Sequence, residues 1–263
     1  MLRRMGSTFD RVAVTAEGRI AVLAFNQPEV LNAVSARMIA GAMAALDFIA
    51  SEGKFRALVL TGEGKGFCAG ANLSEIEPGV SAGDMLERVY HPFLRRLTGF
   101  RLPVVTAVNG AAVGIGMSFA LSGDLTVAAR SAFFQQGFAR LGLVPDGGSS
   151  WLLPRLVGLA RARELAFLNE KLTAEKALEW GLINRLADDD RLRPEALALA
   201  EKLADGPAAL ALTRKLFWDS PGNAYENQLA LEQAAQQKAG QTEDFREGLA
   251  AFHARRAPRF EGK

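Results

Sequence analysis

The chain is poor in the residues that bind metals or form covalent cross-links: one cysteine, Cys68, and two histidines, His91 and His253, in 263 residues. A lone cysteine excludes an intramolecular disulfide framework and fits a reducing, cytoplasmic compartment. Three such residues spread along the chain cannot supply the clustered ligands of a zinc site, so no metal is expected. Charge of one sign is also lacking, because 31 Lys and Arg face 29 Asp and Glu and leave a formal net charge of +2. That balance gives no basic face for nucleic acid. There is no internal repeat, no low-complexity tract and no Pro- or Ser-rich linker, and the basic start MLRRMGSTFD has no apolar run behind it, which excludes a signal peptide. One segment, Leu102 to Gly123, carries no charge, but its four glycines, Asn109 and Pro103 break it into a buried strand, a turn and a helix rather than a membrane span.

What is present is apolar mass, 49% of the chain, enough for a large core. Arg11 to Ala16 and Ile20 to Phe25 read as strands joined by a hairpin at Glu17-Gly18. Val34, Met38, Ala42, Leu46 and Ile49 mark one face of a helix, with Ser35 or Asn32 as its cap. Ala57 to Thr61, Pro103 to Val108 and Leu125 to Ala129 are further strands. Strands separated by helices imply an α/β core. Beyond about Leu156 strand signals stop, and Glu164 to Leu168, Thr173 to Trp180, Pro194 to Ala204, Pro207 to Trp218, Asn223 to Lys238 and Glu243 to Arg255 all read as helices. A wholly helical final third is expected to lie across the sheet or on a neighbouring subunit rather than to extend the sheet.

Glycine-rich motifs come next. Gly62-Glu-Gly-Lys-Gly66 lacks the Ser or Thr that a phosphate loop needs after its lysine. Neither Gly62-x-Gly64 nor Gly114-x-Gly116 continues into a dinucleotide fingerprint. Gly116-Met-Ser-Phe-Ala120 comes within one residue of a nucleophile elbow, and Ser118, Asp146 and His253 run in hydrolase order; but Ser118 lies ten residues beyond its strand and His253 falls on a charged terminal helix. Two segments that leave strands, Phe67 to Leu73 and Gly110 to Gly116, are small-residue turns that together can present two convergent N–H donors to an oxyanion. The remaining candidate is Asp146, set between an apolar run and the turn Gly147-Gly-Ser-Ser150. It is either a helix cap or a catalytic carboxylate.

At these residues the sequence resembles the crotonase, or enoyl-CoA hydratase/isomerase, superfamily. The resemblance rests on Phe25-Asn-Gln-Pro-Glu-Val-Leu-Asn-Ala33, Leu60 to Leu73, Pro103-Val-Val-Thr-Ala-Val-Asn-Gly110, Leu141-Gly-Leu-Val-Pro-Asp146, Trp151 to Gly158, Leu178 to Asn184 and Asp244 to Phe252, which together span nearly the whole chain. It is closest to ring-1,2-epoxyphenylacetyl-CoA isomerases and related enoyl-CoA isomerases. It implies a spiral of ββα units over residues 1–200 with a C-terminal helical region, residues 201–263, for assembly as a homotrimer or dimer of trimers. It also implies an acyl-CoA substrate, with coenzyme A belonging to the substrate and no separate cofactor. By position the oxyanion donors are the N–H groups of Ala71 and Ile115. Gln27, Val30, Ala69, Asn72, Leu73, Gly114 and Phe138 are the implied acyl-CoA contacts, with Phe252 and Arg255 reaching a neighbour's ligand. Ser118 and Phe138 stand where hydratases of the family carry glutamates, which leaves Asp146 as the one acid-base group and favours isomerisation. Phe133, Phe134, Phe138 and Leu143 are expected to wall Asp146 off from water. Ser74 to Tyr90 is expected to line the acyl pocket through Ile76, Val80, Met85, Leu86 and Val89. Three alternatives stay open: a hydratase, an enzyme like the aryl-CoA dehalogenases, which share the aspartate and carry a histidine at the place of His91, and a catalytically inactive scaffold.

Overall fold

The computed structural model describes residues 6–75 and 79–263; Ile76, expected in the acyl pocket wall, lies outside them. The chain opens with an antiparallel meander of β1 (Gly6–Phe9), β2 (Val12–Glu17) and β3 (Ile20–Phe25). The β2–β3 turn is the two-residue hairpin at Gly18, whose φ of 60° suits glycine. The preceding strand β1 is short and half exposed, without the alternation that makes a strand readable in sequence. Helix α1 (Ala36–Ser51) follows, and Ser35 caps it by accepting the Met38 N–H at 3.2 Å.

From here the chain repeats one unit. Strand β4 (Ala57–Gly62) is followed by β5 (Gly66–Cys68), β6 (Val104–Val108) by β7 (Ala111–Val113), and β8 (Leu125–Ala129) by β9 (Phe133–Gln135). First members join a seven-stranded sheet in the order β1-β2-β3-β4-β6-β8-β11, and second members form a four-stranded sheet in the order β10-β9-β7-β5. Two asparagines stack the successive turns. Asn32 Nδ2 donates to the carbonyls of Glu63 and Gly66 at 2.9 and 2.8 Å, and Asn109 Nδ2 to those of Gly64 and Gly66 at 2.9 and 3.1 Å. A Cβ on Gly110 would lie 2.0 Å from the Lys65 carbonyl, so the turns touch through bare backbone.

The uncharged run from Leu102 to Gly123 is accounted for by β6, β7 and α4 (Ile115–Leu121), the last buried on every side. Among the described residues no helix is long and apolar enough to cross a membrane. Phe25, Phe67, Phe93 and Phe119 meet at centroid separations of 5.0 to 6.2 Å and fill the centre of the molecule.

The expectation that the last third adds no strand is corrected. β11 (Arg185–Ala187) pairs in parallel with β8 and closes the large sheet, and β10 (Leu172–Thr173) pairs with β9. Both are too short to show a period of two. β11 is held in register by Asn184, whose Oδ1 accepts the Thr126 N–H at 2.7 Å. The expected helices are present as α5 (Ser149–Val157), α6 (Leu159–Leu168), α7 (Ala174–Glu179), α8 (Leu192–Ala204), α9 (Ala209–Asp219), α10 (Tyr225–Ala239) and α11 (Glu243–His253). Buried Arg214 ties α9 to the core. It pairs with Asp124 at 2.7 Å and donates to the carbonyls of Leu97, Phe100 and Thr98.

Candidate active site

Three backbone devices converge where the ββα units stack. The first is the loop after β5. Val34 and Ala71 form a parallel bridge in which the Val34 N–H donates to Gly70 O at 2.7 Å and the Asn72 N–H to Val34 O at 2.8 Å. A bridge of this kind uses the groups on either side of Ala71, so the N–H of Ala71 itself points away from Val34. The second is the start of α4. Gly114 takes φ 55° and ψ −128°, and Ile115 is the first helical residue, whose N–H has no acceptor inside the helix. The side chain of Ile115 is buried, with its Cδ1 against Gly147. Two close approaches lock these loops together. A Cβ on Gly116 would lie 2.2 Å from the Cys68 carbonyl oxygen, and one on Gly70 would lie 3.1 Å from that of Val113.

The third device is Asp146. It does not cap α5: the cap position is Gly148 at φ 80°, with no side-chain capping bond. Its carbonyl is held instead, accepting the Ser149 N–H and the Ser118 hydroxyl, each at 3.0 Å. Gly147, at φ 58°, lets the chain fold this tightly over Ser118. The carboxyl is thereby turned inward, and its Oδ1 is buried without a hydrogen-bond partner. Leaving a buried acceptor unmet costs about 1–3 kcal/mol, an expense that folds tolerate mainly at functional sites. Burial pushes the Asp146 carboxyl up to about 6, against a smaller opposing pull from His91.

His91 and Tyr90 reach this site from a helix that begins as α2 (Ala82–Met85), widens into a π-turn over Leu86–Tyr90, and continues as α3 (His91–Thr98). Pro92 would collide with the carbonyl four residues back in a regular helix, and the widened turn just before it relieves that clash. The His91 N–H accordingly reaches the Leu86 carbonyl, one residue further back than in an α-helix. His91 Nδ1 lies 2.9 Å from Glu87 Oε2, and Glu87 also holds Arg95 at 2.8 Å. These two partners bring the Glu87 carboxyl down to about 2, with Arg95 the stronger. The Tyr90 phenol is buried and pushed up to about 12, first by burial and then by the negative charges available at Asp146 and Cys68. It therefore stays protonated. The electrostatic coupling of Tyr90 to Asp146 was not legible in the sequence.

The other expected residues are placed as follows. Phe138 is buried, its ring 3.8 Å from the position a Cβ would take on Gly114, so it backs the second donor loop. The wall of four apolar residues is not formed as expected. Phe134 is spent in the core of the small sheet, Phe133 lies under Lys171 at 4.3 Å, and Leu143 is 46% exposed in the turn between Gly142 and Pro145. Ile115 packs instead on Gly147, the residue after Asp146. Met85, Leu86 and Val89 pack partly against the core. Pro28–Val30 form a one-turn 3-10 helix capped by Gln27 and Leu31, in which the Val30 N–H donates to the Gln27 carbonyl and the Val30 carbonyl accepts from Ala33, so the Val30 N–H is already used. Ala69 likewise gives its N–H to Leu31 at 3.0 Å. Gln27 Oε1 is buried without a partner, while Asn72 is engaged by Glu75 and Leu73 is 53% exposed. Phe252 and Arg255 are not brought to this site within one chain, because Phe252 is 79% exposed at the end of α11 and Arg255 follows it. The hydrolase alternative is not assembled: Ser118 is fully buried and donates to Asp146's own carbonyl, and His253 is an exposed residue packed on Phe252.

Comparisons with known proteins bear on the whole chain. The 1,2-epoxyphenylacetyl-CoA isomerase of Escherichia coli K12 is 43% identical over 253 residues, covering 94% of this chain and 97% of that protein. A Rhodobacter capsulatus protein named "Probable enoyl-CoA hydratase" is 43% identical over 246 residues, covering 93% and 95%. The crystal structure of an enoyl-CoA hydratase subunit I from Geobacillus kaustophilus HTA426 superposes with a TM-score of 0.91 at 33% identity, covering 98% of this chain and all of that one. Residues 15–263 match the family described as Enoyl-CoA hydratase/isomerase. The spiral of ββα units is the crotonase fold, and the chain belongs to the enoyl-CoA hydratase/isomerase family.

Proposed function

We propose that the chain is an enoyl-CoA isomerase in which Asp146 alone carries the proton. The observation that supports this most is the buried, unpartnered Asp146 oxygen with its carboxyl pushed up to about 6, close to the range in which one group can both take and return a proton near neutrality. In this reading the thioester oxygen sits between the N–H groups of Ala71 and Ile115. Asp146 removes a proton from the carbon beside the thioester, the electron pair spreads onto the oxygen as an enolate, and the proton returns two carbons further along, moving the double bond into conjugation. Each oxyanion donor is worth about 2.7–4 kcal/mol of transition-state stabilisation in comparable sites. Water addition is less well supported, since it is helped by a second carboxylate and Ser118 and Phe138 occupy the positions from which the resemblance would supply one. A ring-epoxide substrate is the second reading, favoured by the name of the Escherichia coli relative at 43% identity. Turnover of 3-enoyl-, 2-enoyl- and ring-epoxide aryl-CoA thioesters by the purified protein tests these readings. An enzyme that hydrates 2-enoyl-CoA faster than it isomerises 3-enoyl-CoA overturns the isomerase assignment.

The reading extends to assembly. Residues 201–263 are taken as an association region, because Leu229, Leu231, Phe245, Leu249 and Phe252 are 38–79% exposed on α10 and α11. A trimer or dimer of trimers would cover them and give Phe252 and Arg255 a neighbouring acyl-CoA to touch.

A further inference from the structure

Arg11 stands in the two-residue turn between β1 and β2 with φ at 58°. Glycine and asparagine take that left-handed conformation readily, and a long side chain rarely does. The placement of the guanidinium accounts for an arginine there. Its Nη1 donates to Ser35 Oγ at 2.6 Å and to the two carboxylate oxygens of Glu75 at 2.7 and 2.9 Å. Ser35 follows Val34, and Glu75 ends the short helical turn Leu73–Glu75 that comes soon after Ala71. One nitrogen thus ties together the segments just beyond the two partners of the Val34–Ala71 bridge. Asn72 completes the tie, its Nδ2 donating to Glu75 Oε1 at 2.9 Å while its Oδ1 accepts the Ser74 hydroxyl at 2.7 Å.

The bridge is isolated, outside any strand, so no flanking ladder holds its two hydrogen bonds closed. The direction of the Ala71 N–H is set by that bridge. Whatever keeps the bridge closed therefore keeps this N–H aimed. Ion pairs at a surface ordinarily contribute little, and Arg37 with Asp10 of the same turn, 67% and 42% exposed, is of that kind. Arg11 differs, being 17% exposed and bonded to buried Ser35, whose Oγ also caps α1. Charge-assisted hydrogen bonds in such a place are the strong ones. We propose that Arg11, through Ser35 and Glu75, is a positioning residue that holds the Ala71 N–H in line with the thioester oxygen. This rests on the reading of Ala71 as an oxyanion donor and adds the group that aims it; an isomerase and a hydratase would need it alike.

The test compares the full chain with Arg11→Asn, which suits the left-handed turn and removes the tie, and with Arg11→Lys, which keeps a cation able to reach both partners. Amide hydrogen exchange at Val34 and Asn72, the two donors of the bridge, reads the clamp without any substrate. Turnover of 3-hexenoyl-CoA or, should it prove the better substrate, 2-hexenoyl-CoA reads the donor. In Arg11→Asn the two amides should exchange about ten-fold faster or more, as expected on losing hydrogen bonds to a charged group. Its kcat should fall about ten-fold or more, since misplacing a group by 1 Å costs up to about 100-fold, while KM stays within about three-fold. Arg11→Lys should restore most of both. Glu75→Gln, on the exposed side of the tie, should act in the same direction and carries the test if Arg11→Asn does not fold. Arg37→Gln should change neither reading. Unchanged exchange in Arg11→Asn overturns the clamp, and so does an Arg37→Gln variant that behaves like it. Faster exchange with an unchanged kcat overturns the positioning role. A wild-type chain that turns over neither thioester removes the enzyme reading instead, and the clamp then stands or falls on exchange alone.

Discussion

At the scale of the residue, Asp146 is the proposed proton carrier, and its environment makes three measurable differences. Replacing it with Asn keeps the shape and removes the proton carrier, so turnover should fall roughly 100- to 10,000-fold while acyl-CoA affinity stays nearly constant; an unchanged rate would mean that another group is the base. The carboxylate must be ionised to accept a proton, so the wild-type rate should decline as pH drops through about 6. Stability moves in the opposite sense. A folded carboxyl raised from 3.8 to about 6 holds its proton more tightly than the unfolded chain does between those values, so stability is lost as pH rises through that window and the penalty is full above it. Asp146→Asn should therefore melt higher than wild type at pH 8, by an amount corresponding to about 1–2 kcal/mol once partial solvent exposure is allowed for, and the gap should close near pH 4. A melting curve that moves the other way at pH 8 would place the carboxyl in a favourable contact absent from this structure. The sequence left Asp146 open between cap and catalyst. What separates the two is the turn at Gly147 and Gly148, which gives the cap position to a glycine and points the acid inward, and local composition does not encode that direction.

At the scale of the element, the site depends on how tightly α4 lies on β5. Gly116 faces the Cys68 carbonyl and thiol at distances that a Cβ would reduce to 2.2 and 2.7 Å, so Gly116→Ala must push the helix off the strand. Overpacking of this kind costs about 1–3 kcal/mol, and because the proposed donors at Ala71 and Ile115 flank the contact it should also lower kcat by about 100-fold, the effect of losing one oxyanion donor. Gly83→Ala, where nothing lies within 4 Å, should leave both stability and rate nearly unchanged or slightly improve the helix. Equal behaviour of the two variants in melting and rate assays would remove the packing argument. The longer strands were legible as continuous runs of β-forming residues buried nearly throughout: Ile20–Phe25 and Leu125–Ala129 carry the same limits in sequence and structure. The short strands β5, β7, β9, β10 and β11 were not, since two or three residues cannot display a period and their register comes from partners far along the chain. The π-turn before Pro92 escaped for a related reason, because a single extra residue in a helix changes which side chains face the core without changing composition.

At the scale of the whole molecule, the chain leaves much apolar surface uncovered. Besides the side chains on α10 and α11, Val144, Phe167, Phe217 and Tyr225 are each 74–79% exposed. The helical third was readable as helical; what covers Leu229, Leu231, Phe245, Leu249 and Phe252 in the proposed assembly is a property of a second chain that one sequence does not contain. The proposed association is energetically sufficient, since each fully buried Phe or Leu contributes about 1.5–3 kcal/mol and several such side chains offset the loss of free tumbling. Light scattering at micromolar concentration should give a mass three or six times that of the chain. Leu249→Asp with Phe252→Asp should shift the protein toward monomer, because burying two unpaired carboxylates in an apolar contact is costly. The fold of the single chain should survive, as both residues are exposed and α11 is anchored by buried Asp244, which accepts N–H groups of Ala208 and Gly262 at 2.7 and 2.9 Å. If Phe252 and Arg255 complete a neighbour's acyl-CoA site, that monomer should retain its melting temperature within a few degrees yet bind acyl-CoA more weakly. A wild-type chain that runs as a stable monomer, or a double variant that keeps its full mass, would show that this face serves something other than self-association.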